Sequence, residues 1–104
     1  MTLSSAETLG ATQAALDTTV DYTKQRVQFG QPLASFQALQ HRMSNMLIQT
    51  ELTRSLIYAA CNASDNGHDN AARFARAAKV KATTVGRKVS QEAIQLHGGI
   101  ATTD

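Results

Sequence analysis

The chain has 104 residues and a formal net charge of +2, and 42% of its residues are hydrophobic while 17% are charged. These values are typical of one folded domain covering 1–104, and they exclude a disordered polypeptide. No apolar run reaches the roughly 18 residues that a spanning helix needs, and the basic residues form no stripe with interleaved aromatic residues. Neither a membrane nor a nucleic acid is therefore a predicted partner.

The N-terminus and the cysteine content favour a cytoplasmic protein without disulfides. Residues 1–7 lack the basic and apolar regions of a secretory signal, so a cytoplasmic location is the default expectation. Cys61 is the only cysteine and lies beside alanines, which predicts a buried thiol rather than a nucleophile. The cysteine and the three histidines lack the spacing of a zinc site, and no metal is predicted.

The first predicted helix covers about 3–28, where leucine and valine recur at helical spacing. Gly10 costs on the order of 1 kcal/mol relative to alanine in mid-helix, which predicts either a close helix crossing or a frayed first turn. The helix is predicted to end within the stretch Arg26-Val27-Gln28-Phe29-Gly30-Gln31-Pro32-Leu33. Gly30 can adopt the positive φ that ends a helix, and Pro32 cannot continue one.

Arg26 lies in the last predicted turn of this helix and carries a planar fork of donors suited to phosphate or carboxylate. A cation at a helix C-terminus can also simply cover the last carbonyl groups. Taken alone, the stretch favours this second interpretation, because short motifs often occur by chance.

Two further helices are predicted at about 35–64 and 69–97. Ser35 is the predicted N-cap of the second helix, and Asp69 or Asn70 that of the third. The third helix has the clearest pattern, with steps of three or four residues between Phe74, Ala78, Ala82, Val85, Val89, Ala93 and Leu96. It is predicted to stop at Gly98-Gly99, which on its own would be an ordinary C-cap.

Short connections between long helices predict an all-α, antiparallel up-down bundle, with three helices of a four-helix-bundle type of domain. An alanine-rich core of this size is marginal unless another surface covers it. Several apolar residues also fall beside the main stripes, namely Leu52, Leu56, Ile57, Val80 and Ile94. We therefore expect oligomerisation to complete the bundle.

Four features occur in order along the chain: Arg26-x-Gln28-Phe29-Gly30, Phe36-Gln37-x-x-Gln40-His41, Lys79, and Gln95-Leu96-His97-Gly98-Gly99-Ile100. In this order and at these distances they resemble the C-terminal helical domain of the acyl-CoA dehydrogenases. The resemblance extends from about Leu9 to Asp104. Each motif alone is weak, whereas the compound pattern is specific.

The resemblance implies an oxidoreductase of fatty acid metabolism that carries out α,β-dehydrogenation of an acyl-CoA thioester. In that family a glutamate removes the α-proton and FAD takes the β-hydride. The resemblance also implies a homo-oligomer, either a dimer or a tetramer, in which this domain contacts the FAD of a neighbouring subunit. Neither the acyl chain nor the electron acceptor is indicated.

Carried over residue by residue, the resemblance implies that Arg26 pairs with the FAD pyrophosphate, with Gln28 and Phe29 beside it. It further implies that Gln37 bonds near the adenosine, and that Gln95, Gly98 and Gly99 line the same dinucleotide. The residue types fit these roles, because a pyrophosphate needs charge-assisted donors and glycine allows close backbone approach.

No catalytic residue is predicted in this chain. Glu7, Glu51 and Glu92 match no catalytic position of the family, whose glutamate would lie beyond either end of these 104 residues. The isolated chain, as a fragment or a truncated gene product, is predicted to be inactive and not to retain FAD.

The segment after the glycine pair departs from the family pattern. The family commonly has a glycine followed by an aromatic residue or methionine there, whereas this chain has Ala101 and Thr102. The alternative is a non-catalytic helical assembly module without cofactor.

Overall fold

The computed structural model describes residues 2–25, 27–28, 31–32 and 36–103, with side chains described for 4–25 and 36–97. Three long helices follow in chain order: α1 (Thr2–Gln25), α2 (Gln37–Asp65) and α3 (Ala71–Thr103). They form an elongated body of 56 × 19 × 16 Å. The predicted antiparallel up-down arrangement of three helices is confirmed, and none of the described helices is long and apolar enough to cross a bilayer.

The corner between α1 and α2 differs from the prediction. α1 ends at Gln25, and the chain then forms two short antiparallel strands, β1 (Val27–Gln28) and β2 (Gln31–Pro32), with Val27 opposite Pro32. The prediction that Gln28 lies in the last helical turn was therefore wrong. A β-branched valine favours extended backbone, and a residue before proline disfavours helical backbone, so this stretch pairs with itself. Arg26, Phe29 and Gly30 lie outside the described residues. The N-cap of α2 is Phe36, with extended backbone, so the predicted N-cap Ser35 was wrong.

The connection between α2 and α3 is a tight turn around a left-handed glycine. Gly67 has a φ of +64°, and the backbone N–H of His68 donates to the carbonyl of Ala63 at 2.9 Å while that of Gly67 donates to Ser64 at 3.2 Å. This pair of bonds satisfies the last carbonyls of α2. The chain therefore reverses within a few residues, and α3 runs back along α2.

α3 continues further than the sequence predicted. Gly98 and Gly99 were expected to stop it, but the helix passes through both and ends at Thr103. Glycine tolerates helical backbone as well as left-handed backbone, and no proline follows to break the hydrogen bonding. The predicted C-cap at the glycine pair was therefore wrong.

α3 packs along both α1 and α2, whereas α1 and α2 touch each other less extensively. One buried cluster consists of Leu9, Ile57, Ala60, Ala78 and Ala82, with Cys61 partly buried beside it. A second consists of Leu16, Met46, Val85, Val89 and Leu96. Ile57, expected beside the stripes, thus belongs to the core, while Leu52, Val80 and Ile94 are exposed.

The buried stripe of α1 alternates leucine with small hydroxyl residues, in the order Ser5, Leu9, Thr12, Leu16, Thr19 and Thr23. Its threonine hydroxyls are satisfied within the helix: Thr12 donates to the carbonyl of Thr8 at 2.9 Å and Thr19 donates to that of Ala15 at 2.8 Å. Such bonds remove the penalty for burying a hydroxyl. Small side chains at these positions allow α1 to lie close to α3.

α1 lies close to α3 at Gly86 but not at Gly10. A Cβ at Gly86 would lie 3.1 Å from Thr12 Oγ1 and 3.3 Å from Thr8 Cγ2, whereas a Cβ at Gly10 would meet no atom within 4 Å. The close helix crossing predicted for Gly10 was therefore wrong, and Gly86 is the crossing glycine. Gly10 is exposed in a helix that begins at Thr2, and the alternative of a frayed first turn stays a prediction.

Candidate functional site

The end of α1, the start of α2 and the last part of α3 meet at one end of the bundle. The rings of Tyr22 and His97 have centroids 4.3 Å apart, which joins α1 to α3. Thr23 Oγ1 lies 3.2 Å from Met43 Sδ, which joins α1 to α2. We call this region, defined by Tyr22, Gln37, Arg42, Gln95 and His97, the corner end. The topology thus brings the corner that follows α1 to the same end as the segment containing the glycine pair.

Arg42 of α2 bridges two side chains of α3 at the corner end. Its Nε donates to Glu92 Oε2 at 2.8 Å, its Nη2 lies 2.7 Å from the same oxygen, and Nη2 also donates to Gln95 Oε1 at 3.1 Å. Glu92 and Gln95 are three residues apart, so they lie on the same face of α3. The ion pair is partly exposed, with side-chain exposures of 41% and 36%. Exposed pairs contribute only about 0–1 kcal/mol, so the main consequence of this network is orientation.

His97 packs at an interplanar angle of 47° against Tyr22, and its ring is only partly exposed. Within the described part of the chain, its Nε2 atom is buried and has no hydrogen-bond partner. A neutral imidazole carries one donor and one acceptor, and a buried polar atom without a partner costs about 1–3 kcal/mol. His97 is thus held by packing rather than by hydrogen bonds at this atom.

The structure describes the predicted site residues to different extents. Gln37 is exposed in the first turn of α2, and Gln95 is exposed in α3 with its oxygen on Arg42. Gly98 and Gly99 lie within α3, and Gln28 pairs with Gln31 in the strand pair. The side chain of Gln28 and all of Arg26 and Phe29 lie outside the described residues. The roles assigned to these seven residues remain predictions.

Arg42 and Tyr22 were missed by the sequence reasoning. Arg42 lies four residues before the buried Met46, and Glu92 lies three residues after the buried Val89. Helical projections of α2 and α3 would therefore have placed Arg42 and Glu92, which carry opposite charges, beside the buried faces along which the two helices pack. Nothing in the sequence pattern pointed to the contact between Tyr22 and His97, because it depends on how α1 and α3 cross.

An open groove of about 740 Å³ runs between α1 and α2 towards the corner end. Its apolar lining consists of Leu16, Val20, Met43 and Leu47, and Leu47 is 49% exposed. Asp17, Asp21 and Lys24 lie along its α1 side. An open groove with a partly apolar lining therefore lies between α1 and α2, which contact each other less extensively than either contacts α3. Among the described residues, no three His, Cys, Asp or Glu side chains cluster as metal ligands.

Comparison with known proteins places this geometry in a family. Residues 2–104 match the family model of the acyl-CoA dehydrogenase C-terminal domain. The chain belongs to the acyl-CoA dehydrogenase family. It is 43% identical over 101 residues to acyl-CoA dehydrogenase IpdE2 of Mycobacterium tuberculosis, covering 97% of this chain and 30% of that relative.

Solved structures share the fold of this chain. Butyryl-CoA dehydrogenase from Megasphaera elsdenii is 40% identical with a TM-score of 0.86, and the match covers 92% of this chain and 25% of that one. The FAD complex of PigA is 33% identical with a TM-score of 0.87, over 94% of this chain and 25% of that one. The chain thus spans about a quarter to a third of the length of these three proteins.

Proposed function

We propose that this chain serves as the C-terminal helical domain of a flavin-dependent acyl-CoA dehydrogenase, with its corner end against the adenosine diphosphate part of FAD. The observation that carries the proposal is the family match over residues 2–104. The end of α1 and the last part of α3, next to which the two motifs lie in the sequence, are at the same end of the bundle. One structural neighbour, the FAD complex of PigA, supports the choice of cofactor.

The residues at the corner end fit a diphosphate. The exposed amides of Gln37 and Gln95 offer uncharged N–H donors, and Arg26 adds a charged planar fork. Gly98 and Gly99 carry no side chains, which lets another molecule approach the helix backbone closely. When bound, FAD supplies the hydride-accepting chemistry for α,β-dehydrogenation of an acyl-CoA thioester, and the domain supplies position and charge.

The described carboxylates do not provide a catalytic base. Glu92 is paired with Arg42, Glu51 lies 3.6 Å from Arg54, and Glu7 is exposed on α1. A base must be free to take the proton that it abstracts, and Glu92, which lines a groove of about 320 Å³ between α2 and α3, is held there by Arg42. We therefore propose that the 104-residue chain does not dehydrogenate an acyl-CoA by itself, even with added FAD. Turnover of butyryl-CoA with FAD and an artificial electron acceptor would contradict this proposal.

The same domain is proposed to form a subunit interface in a homo-oligomer, either a dimer or a tetramer. The groove between α1 and α2 and the exposed residues Leu47, Ile48 and Leu52 leave apolar surface uncovered. Burying such surface stabilises an assembly by roughly 25 cal/mol per Å² before the costs of association. The same observation favours the second candidate function, a helical assembly module that binds no cofactor.

A domain exchange separates the two candidates. The corresponding segment of the short-chain specific acyl-CoA dehydrogenase of Megasphaera elsdenii is exchanged for the present 104 residues. The hybrid protein is purified by gel filtration, and the amount of FAD retained per subunit is measured. The cofactor role predicts that the hybrid retains FAD and that Arg26→Ala lowers retention. Arg87→Ala, which removes an exposed cation of α3 outside the groove, is the control and leaves retention unchanged. An assembled hybrid in which Arg26→Ala has no effect on FAD content would favour the cofactor-free module.

A further inference from the structure

The side-chain amide of Gln95 has a defined orientation because of its neighbour. Arginine has five N–H donors and no acceptor, so the atom of Gln95 that receives the bond from Arg42 Nη2 at 3.1 Å must be the amide oxygen. The NH₂ group of the same planar amide then points away from Arg42. A glutamine without such a neighbour could present either atom to a ligand.

Arg42 is itself held in place. Both its Nε and its Nη2 lie within 2.8 Å of Glu92 Oε2, so the guanidinium cannot turn without breaking two contacts. Glu92 and Gln95 belong to the same helix, whereas Arg42 belongs to α2. The network therefore fixes the Gln95 amide relative to two helices rather than one.

Arg54 also donates to a glutamine, Gln13, but the amide of that glutamine is bonded at both ends. Arg54 Nη2 donates to Gln13 Oε1 at 2.7 Å, but Gln13 Nε2 in turn donates to Asp17 Oδ1 at 3.0 Å. Both ends of the Gln13 amide are therefore bonded within the bundle. At Gln95, in contrast, the described residues provide a partner for the oxygen and none for the NH₂ group. Gln95 is exposed at the corner end, so the described residues leave its donor end open to a ligand.

We propose that Arg42 is a positioning residue, which with Glu92 orients the Gln95 amide so that its two N–H donors face an incoming diphosphate. The inference rests on the proposed function, and it adds the reason why Gln95 acts as a donor. A long exposed side chain loses rotamer entropy when it is ordered on a ligand. Orienting the amide in advance reduces that loss and excludes the conformer whose oxygen would repel a phosphate.

The first test needs no ligand. In the ¹⁵N-labelled 104-residue chain, the Gln95 side-chain amide is predicted to be motionally restricted on the nanosecond timescale. Arg42→Met, which keeps a long chain but has no donors, releases it to the mobility of an exposed glutamine, and Arg42→Lys restores part of the restriction. Arg54→Met is the matched control and leaves Gln95 unchanged. Equal restriction in the Arg42→Met variant, or a mobile Gln95 in the unmodified chain, would overturn the inference.

The second test uses inorganic pyrophosphate as the probe at millimolar concentrations, followed through the backbone amide signals of Gly98 and Gly99, which every variant retains. Arg42→Met is predicted to weaken binding roughly two- to tenfold, the range expected when one hydrogen bond is weakened or lost. Gln95→Ala lowers affinity at least as much, and the double variant shows no loss beyond that of Gln95→Ala, because Arg42 acts only through the Gln95 amide. Additive losses would instead mean that Arg42 contacts the anion directly, which contradicts a positioning role. If pyrophosphate shifts no corner-end signal while the ligand-free result holds, the proposed function fails and the orientation of Gln95 by Arg42 stands.

Discussion

Gly86 of α3 lies against Thr12 of α1, where a Cβ on the glycine would lie 3.1 Å from the threonine hydroxyl oxygen. In α1, Thr12 lies between Leu9 of the first buried cluster and Leu16 of the second, and in α3 Gly86 follows Ala82 of the first cluster and Val85 of the second. The spacing of α1 and α3 at this point therefore affects residues of both clusters.

Gly86→Val is predicted to lower the free energy of unfolding by about 1–3 kcal/mol, because a branched side chain overfills the crossing. Gly10→Ala serves as the matched control, since Gly10 lies in the same type of backbone with no atom near its Cβ position. There the alanine is predicted to raise stability by about 1 kcal/mol. Urea unfolding of both variants followed by circular dichroism provides the measurement. Equal effects of the two substitutions would contradict the assignment of Gly86 as the crossing glycine.

His97→Phe is predicted to leave the free energy of unfolding unchanged or to raise it by about 1 kcal/mol. Phenylalanine keeps a ring against Tyr22 and removes a buried nitrogen that has no partner among the described residues. His97→Ala, which removes the ring as well, is predicted to lower stability by about 1–3 kcal/mol. Thermal and urea unfolding distinguish the two outcomes. A clear loss of stability in the phenylalanine variant would indicate that Nε2 forms a bond essential to the fold.

Leu96→Ala is predicted to lower the free energy of unfolding by about 2–5 kcal/mol, because this leucine is only 2% exposed in the second cluster. Ile94, two residues earlier, is 70% exposed, and Ile94→Ala is predicted to change stability by less than about 0.5 kcal/mol. The pair tests the register of α3 close to the glycine pair. Similar losses for both variants would mean that Ile94 is covered by another surface, such as a second subunit.

The helices could be predicted from the sequence because their apolar residues recur every three or four positions. The stripe from Phe74 to Leu96 in α3 depends only on local spacing and burial, and all seven of its members are buried or partly buried. Helix ends depend on smaller differences in free energy. Gly98 and Gly99 are compatible with both a helix and a C-cap, so the sequence did not decide between them.

The candidate site was predictable only in part. The order of the motifs indicated the family, and short connections between long helices put the corner and the glycine pair at the same end. The contact between Gln95 and Arg42 was missed, because Arg42 and Glu92 are 50 residues apart in the chain and meet only where α2 packs against α3. Gly86 was missed for a similar reason, since its neighbours Thr8 and Thr12 belong to another helix.

The proposed function requires that the corner after α1 and the last part of α3 form one surface that contacts a diphosphate-linked adenosine. ADP, titrated to millimolar concentration into the ¹⁵N-labelled chain, probes this contact, with assigned backbone amide signals as the readout. Shifts are expected to concentrate at Arg26, Gln37, Gln95, Gly98 and Gly99, while the turn at 66–70 at the opposite end stays unchanged. Shifts confined to that turn, or none at any corner-end residue, would show that this surface does not bind the ligand.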